Sequence, residues 1–558
     1  MNCTLARNLK SRIPNPKSEV SLWVAAGLVA LCALAVYLRT LSPSITWAHD
    51  GADSGDFAAA VACGGVPHPT GYPTYLLLAS LWALLPWGDV AFRLNLLSAS
   101  MGAFGAGLMV VLAAVAFSVG RGQRRRSVPT VAAACAGLLL AFGPLVWSQA
   151  VIAEVYTLHL AFVVGLMLVG ASAEASLSST RGEENGWQGK RGWRVALTFG
   201  LLGVGLGNHL SLALTLPALL VLLWGELRAR PGWFFLSAVL GLVLGLSVYA
   251  LIPLRAAQWP PVNWGGASTA EGLWWLVSGQ AYRGLVLGLP LAHLPARVAV
   301  ALRLLVIGVG GWGLPFAVVG AIGLWERRRR LAVATLLVFV LYGMYAVWYD
   351  TTDSYVYLLP AAAMATLWTA CGLYAAIEWL AQGAVRFPVG LPEHNEESHR
   401  VSSPAPFGAL RLRYGVCVGA LALSLVGLPW HWAAMDLSEN RQAIDYAVDA
   451  LRSIPHGSLI VVRSDAHTFA LWYGRYGLKL GENVAVVNDA LLQFEWYRAI
   501  LRRHHPEVLG NGQVADLEAL LEANTGVRPV YFGDRPEELG VGEAATPFGP
   551  LWEWSPVL

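Results

Sequence analysis

Residues 20–38 read VSLWVAAGLVALCALAVYL, nineteen positions without a charge. A helix of about 20 apolar residues crosses the hydrocarbon core of a bilayer, and this run is long enough. Arg7, Lys10, Arg12 and Lys17 precede it, and Arg39 follows where a cleavable leader would carry small residues. It reads as a retained first span with residues 1–19 on the cytoplasmic side.

Composition agrees with that start. The 558 residues are 56% hydrophobic and 13% charged, with a mean hydropathy of +0.53, too apolar for a chain bathed in water on all sides. The formal net charge of +3 gives no support to nucleic-acid binding, and the arginines cluster in short loops. Cys32, Cys135, Cys371 and Cys417 sit in apolar runs while Cys3 and Cys63 are scattered, so no spacing suggests a disulfide framework or a zinc site.

Further runs of spanning length lie at 91–117, 128–147, 150–170, 233–254, 298–325, 331–348, 355–380 and 416–432. Residues 74–85, between Pro73 and Pro86, are too short to cross and predict an interfacial or re-entrant helix. Residues 195–224 are interrupted by Gly205, Gly207, Asn208 and His209, which predicts two short helices meeting at a polar break. With these assignments, Arg121 with Arg124–Arg126, Lys190 with Arg191 and Arg194, Arg228 with Arg230, and Arg327–Arg330 all fall on the cytoplasmic side. Counting 74–85 as a crossing would break that parity, so the expectation is about eleven crossings.

The tail has a different texture. Apolar strands at 459–462, 484–487 and 529–532 alternate with helical patterns around 469–476, 494–503 and 516–524. The expected organisation is a transmembrane domain over 20–433, with a first outer loop at 39–90 and a flexible cytoplasmic linker at 381–413, followed by a small extracytoplasmic α/β domain over 434–558 that folds on its own. The whole is a multi-pass integral protein, as in a bacterial inner membrane.

This topology sorts the polar residues. Asp50, Asp53, Asp56 and His68 lie in the first outer loop, Glu154 near the outer end of a span, and Asn208 and His209 at the apex of the broken pair. Arg255, Asn263, Arg283, Asp350 and Asp353 are outer as well. Ionisable groups at a membrane mark functional cavities, and these could line one. Each has a structural alternative: the three aspartates could cap the helix that starts near Phe57, His68 could fix a turn, Asn208 and His209 could satisfy backbone at the helix break, and Glu154 could pair with an arginine.

The stretch Asp53-Ser54-Gly55-Asp56-Phe57, then His68-Pro69-Thr70-Gly71-Tyr72-Pro73 and Arg93-Leu94-Asn95, resembles the first-loop signature of a family of protein O-mannosyltransferase-like membrane proteins. Trp147-Ser148-Gln149, Ala153-Glu154-Val155-Tyr156, Gly205 to His209, Asn263-Trp264-Gly265, Tyr355 to Pro360, Asp465, Trp496-Tyr497 and Arg528 to Tyr531 extend the resemblance over most of the chain. It implies the GT-C fold, a polytopic α-helical membrane protein with an acidic catalytic residue in its first outer loop. It also implies a polyprenyl-phosphate-linked sugar as donor and a protein or glycan as acceptor. The family's second acid is usually Glu, where this chain has the shorter Asp56.

Moving a sugar from a lipid phosphate to a hydroxyl with inversion needs a base for the acceptor's proton and a positive group for the leaving phosphate. The resemblance makes Asp53 the first candidate base and Asp56 the second. His68, Arg93, Glu154, Asn208, His209, Arg255, Asn263 and Asp353 are candidate substrate contacts, and Arg93, Arg255 and Arg283 candidate phosphate ligands. Nothing in the sequence requires a metal, although a divalent ion is compatible with the acids. A transporter or lipid flippase would also place polar residues at a broken helix, but the spans show no two-half symmetry. A non-catalytic family member whose tail binds a partner is the third alternative.

Overall fold

A computed structural model describes residues 16–117, 128–179, 192–383, 407–510, 514–541 and 544–555. The arginine clusters at 121–126 and 190–191 and most of the 381–413 linker lie outside these residues.

Among the described residues, eight helices are long and apolar enough to cross a membrane, and a ninth span results if Thr130–Phe142 and Pro144–Ala150, bent by 61°, are joined. In chain order the helices include α1 (Pro16–Thr40), α2 (Asp53–Cys63), α3 (Pro73–Trp82), α4 (Val90–Phe117), α5 (Val128–Phe142), α6 (Pro144–Ala150), α7 (Tyr156–Ser179), α8 (Gly192–Leu206) and α9 (Leu216–Leu222). Then follow α10 (Pro231–Leu246), α11 (Leu294–Gly308), α12 (Leu314–Arg327), α13 (Arg329–Trp348), α14 (Leu359–Gly383) and α15 (Phe407–Leu425).

The short helix between Pro73 and Pro86 forms as expected, with Pro73 in its first turn, where a missing N–H costs nothing. The break after α8 also forms, and a 3-10 turn over Leu210–Thr215 leads into α9. The run at 298–325 is not one helix. It divides between α11 and α12 because Gly310 and Gly311 both take positive φ, a conformation that ends a right-handed helix and suits glycine. The most enclosed span is Ser354–Leu380, 94% buried against 22% for the first, so α14 is the axis of the bundle.

The C-terminal part adds α16 (Gln442–Ser453), α17 (Asp465–Trp472), α18 (Glu495–His504) and α19 (Leu517–Asn524) around a five-stranded sheet. The strands are β1 (Leu459–Val462), β2 (Ala485–Asn488), β3 (Val530–Phe532), β4 (Ala545–Phe548) and β5 (Leu551–Trp554), in the order β2-β1-β3-β5-β4. β1 pairs parallel with β2 and β3, Leu459 opposite Ala485 and Val530, and all three strands are fully buried, as the uninterrupted apolar runs require. The β4–β5 hairpin, antiparallel to β3 through Tyr531 and Glu553, was not expected from the sequence. Pro547 in β4 argues against a strand except at an edge, where β4 lies.

One apolar cluster runs from this sheet through Phe469 and Trp472 into Phe57, Tyr72 and Tyr75 of the first loop. The C-terminal part and the first loop therefore share a core.

Candidate active site

The site is built where α2 meets α17. Gly55 makes the approach possible: a Cβ there would lie 2.6 Å from the carbonyl carbon and oxygen of Phe469. Asp53 and Asp56 are one turn apart on α2 and share a face. The helix is preceded by Ala52 at its N-cap with no side-chain capping bond, so Asp53 does not serve as the cap.

Residues 66–73 bring a third group to this face. Gly71 takes φ +80° and its N–H bonds the carbonyl of His68, turning the chain into α3. Val66 forms a parallel bridge with Asn263. His68 thereby sits between the two acids. Asp56 is fully buried, and its Oδ2 accepts the backbone N–H of His68 at 2.8 Å and faces the ring Nδ1 at 2.7 Å. Its Oδ1 accepts the indole N–H of Trp264 at 3.3 Å. On the other side, His68 Nε2 lies 3.3 Å from Oδ2 of Asp53, which keeps 34% of its side chain exposed. Phe469 stacks on the imidazole at 6.1 Å, and Phe57, Tyr72 and Trp264 enclose it.

The electrostatics follow from this packing. Burial raises the Asp53 carboxyl to about 6, the charge of His68 opposing and those of Asp465, Asp353 and Asp56 adding to the rise. Burial alone would make His68 neutral, but the carboxylate of Asp53 and the hydrogen bond to Asp56 outweigh it and lift the ring to about 9. Asp465, at the first turn of α17, is raised by burial, with His68 opposing.

Not all the expected contacts converge. Asp353 and Glu154 are within electrostatic reach of Asp53, and Asp50 of Glu154. Asp353 follows a turn held by Arg297, which donates to the carbonyl of Thr351 at 2.9 Å and to the Ser354 hydroxyl. His209 accepts from the N–H of Ser211 and lies among Tyr72, Tyr156 and Tyr357 at 5.5–6.2 Å between ring centroids. Asn208 donates to the carbonyl of Val155 at 3.1 Å and Asn263 to that of Ala256 at 3.1 Å, both tying backbone together.

Two arginines are engaged within the protein. Arg93 donates to the carbonyls of Ala83, Trp87 and Gly88 at 2.5, 2.9 and 3.0 Å, closing the turn after α3. Arg255 donates to Ser80 Oγ at 2.6 Å and the carbonyl of Gly65 at 3.3 Å, fixing the base of the His68 loop. Arg283 remains exposed, beside Tyr282, whose ring lies within reach of Asp53, Asp56 and Asp465. The bond from Trp264 to Asp56, the stacking of Phe469 and the approach of Asp465 were not anticipated. Asp465 had two legible signals, its part in the family resemblance and its place just past the carboxyl end of a parallel strand, where α/β sheets gather ligands.

The fold and the acid-bearing first loop define a class, the polytopic membrane proteins of GT-C architecture. Two crystal structures of ArnT from Cupriavidus metallidurans share the fold: the form bound to undecaprenyl phosphate at TM-score 0.54 and 12% identity over 94% of this chain and 95% of that one, and the apo form at 0.54 and 14% over 97% of each.

Residues 53–230 match the family model described as the Protein O-mannosyl-transferase TMEM260 N-terminal domain. The chain is 27% identical over 503 residues to Protein O-mannosyl-transferase TMEM260 of Mus musculus, covering 86% of this chain and 65% of that protein. It is 20% identical over 551 residues to the Dictyostelium discoideum protein of that name, covering 91% and 63%. The chain thus spans somewhat less than two thirds of these relatives. Over most of its length the chain is thus similar to named O-mannosyl-transferases, and it shares its fold with ArnT, a likeness first carried by the loop motif.

Proposed function

We propose that this protein is a membrane glycosyltransferase that moves a hexose, mannose or similar, from a polyprenyl phosphate to a hydroxyl on a protein or glycan acceptor. The observation that carries the proposal is the partly exposed carboxylate of Asp53, beside His68 where the first loop meets α17, in a chain similar to named O-mannosyl-transferases.

The step is an inverting displacement. Asp53 takes the proton from the acceptor hydroxyl, the acceptor oxygen bonds to the sugar's anomeric carbon, and the bond from that carbon to the phosphate oxygen breaks. Its electron pair leaves on the polyprenyl phosphate. Arg283 is the guanidinium we assign to the charge that develops there, since Arg93 already holds carbonyls and Arg255 the Gly65 carbonyl and the Ser80 hydroxyl. Glu154, Asp353 and His209, with the tyrosines around them, supply hydroxyl-binding groups for the sugar. The site lies on the extracytoplasmic side, so that the lipid tail stays in the bilayer while the acceptor arrives from water.

Transfer from a polyprenyl-phosphate mannose by the purified full chain, compared with Asp53→Asn, tests this reading. Activity in the wild type and its loss in the variant are expected. Equal turnover in both would overturn the assignment of the base.

A further inference from the structure

We propose that His68 is a positioning residue, a buried imidazolium anchored by Asp56 that clamps one oxygen of Asp53 and leaves the exposed part of that carboxylate to the acceptor. The proposal deepens the reading of Asp53 as the base and rests on it.

The hydrogen-bond pattern assigns the protons. Asp56 Oδ1 accepts from the Trp264 indole and its Oδ2 accepts from the His68 backbone, so the carboxylate acts as an acceptor throughout and the ring Nδ1 facing it at 2.7 Å carries a hydrogen. A neutral ring protonated at Nδ1 would turn the lone pair of Nε2 toward the Asp53 oxygen 3.3 Å away. An ionised Asp53 would then face an electron-rich nitrogen. Protonation of Nε2 turns that contact into an ion pair.

The ring is closed in, with Phe469 near-parallel to it at an interplanar angle of 16° and centroids 6.1 Å apart, and Phe57, Tyr72 and Trp264 on its other sides. The surrounding charges favour the cation. Asp53 and Asp56 face His68 from α2 and Asp465 from α17, and the neighbouring base is His209, beyond Tyr72. Burial, with Asp465, Asp353 and Asp56, presses Asp53 toward its neutral form, in which it could accept no proton. The imidazolium is the counterweight among the described residues that keeps it ionised at neutral pH.

The test is a proton titration of the purified full chain in lipid nanodiscs without substrate. Nitrogen NMR of histidine-labelled protein, with the His68 signals assigned by their loss in His68→Gln, should show both ring nitrogens protonated at neutral pH. Infrared difference spectra should show a carboxyl band, absent in Asp53→Asn, that titrates near pH 6 in the wild type and higher by about one unit or more in His68→Gln. A neutral His68, or an Asp53 band that His68→Gln leaves in place, would overturn the proposal. Should His68→Gln not fold, Asp53→Asn provides the assignment, since removing the anion must move the His68 signals; signals that stay in place would be equally fatal. Neither readout needs turnover, so an inactive wild type would count against the proposed function and leave this inference standing.

Discussion

Gly55 and Phe469 meet backbone to backbone, so that a single added methyl group on Gly55 would stand 2.6 Å from the Phe469 carbonyl. This contact joins the first loop to the C-terminal part and holds the Phe469 ring on His68. Gly55→Ala forces α2 and α17 apart and should cost about 1–3 kcal/mol of stability, the usual penalty of overpacking. Turnover should fall with it, because the stacked wall of the imidazole moves. Thermal unfolding of the full chain checks the first effect and transfer assays the second, with Gly27→Ala, where a Cβ meets no atom within 4 Å, as the control.

The two aspartates should respond differently to the same change. Asp53→Asn removes a base while nearly keeping its shape, so turnover should drop by about 10² to 10⁴, the usual contribution of general base catalysis. Its stability should equal or exceed that of the wild type, since the lost charge sat among other acids. Asp56→Asn leaves His68 without its buried anchor and should cost about 3–5 kcal/mol, together with activity. A stable, inactive Asp56→Asn alongside an active Asp53→Asn would exchange their roles.

The dependence on pH has a definite sign. Asp53 is neutral below about 6, so kcat/KM should fall tenfold per unit on the acid side of that value. Loss of the His68 proton places the alkaline limb near 9. Stability runs the other way for Asp53: its folded pKa lies above the unfolded value, so its contribution is fully present below about 4 and is lost as pH rises through about 6. Profiles of kcat/KM measured beside unfolding curves separate the two effects.

Arg283 and Arg93 offer a contrast in the same residue type. Arg283→Ala should lower kcat/KM by about ten- to a hundredfold, the worth of a charge-assisted bond to phosphate, with unfolding unchanged. Arg93→Ala frees the carbonyls of Ala83, Trp87 and Gly88 and should act on stability instead. Steady-state kinetics with varied donor, paired with thermal scans, would reveal a reversed pattern.

Charge parity predicts that the N-terminus and the loops after the second and eighth crossings lie inside and the tail outside. Reporter fusions at Arg126 and Arg330 should give cytoplasmic signals and a fusion at Leu558 an extracytoplasmic one. A cytoplasmic signal at Leu558 would move the site to the other face of the membrane.

The sequence by itself determined what local physics dictates. Lipid leaves a backbone no choice but to satisfy itself within each helix, so apolar runs such as 20–38 declare spans, and the prolines at 73 and 86 mark the helix too short to cross. The buried strands β1 to β3 were legible because parallel strands covered on both faces need unbroken apolar residues. The glycine pair at 310–311 was visible too, yet its effect on the 298–325 run was not, since hydropathy does not register a change in the sign of φ. What only the tertiary structure decided is the meaning of each polar group. Asp53 and Asp56 are the same residue type one turn apart, and only the family resemblance ranked Asp53 first. They part because Trp264, 208 positions from Asp56, completes the burial of one acid, while the other keeps about a third of its side chain exposed. Arg93 and Arg255 look like phosphate ligands until their carbonyl partners are seen, for the choice between substrate and backbone depends on which acceptor lies within 3 Å or so. Such distances are set by chain segments far apart in sequence, and no spacing within a motif encodes them.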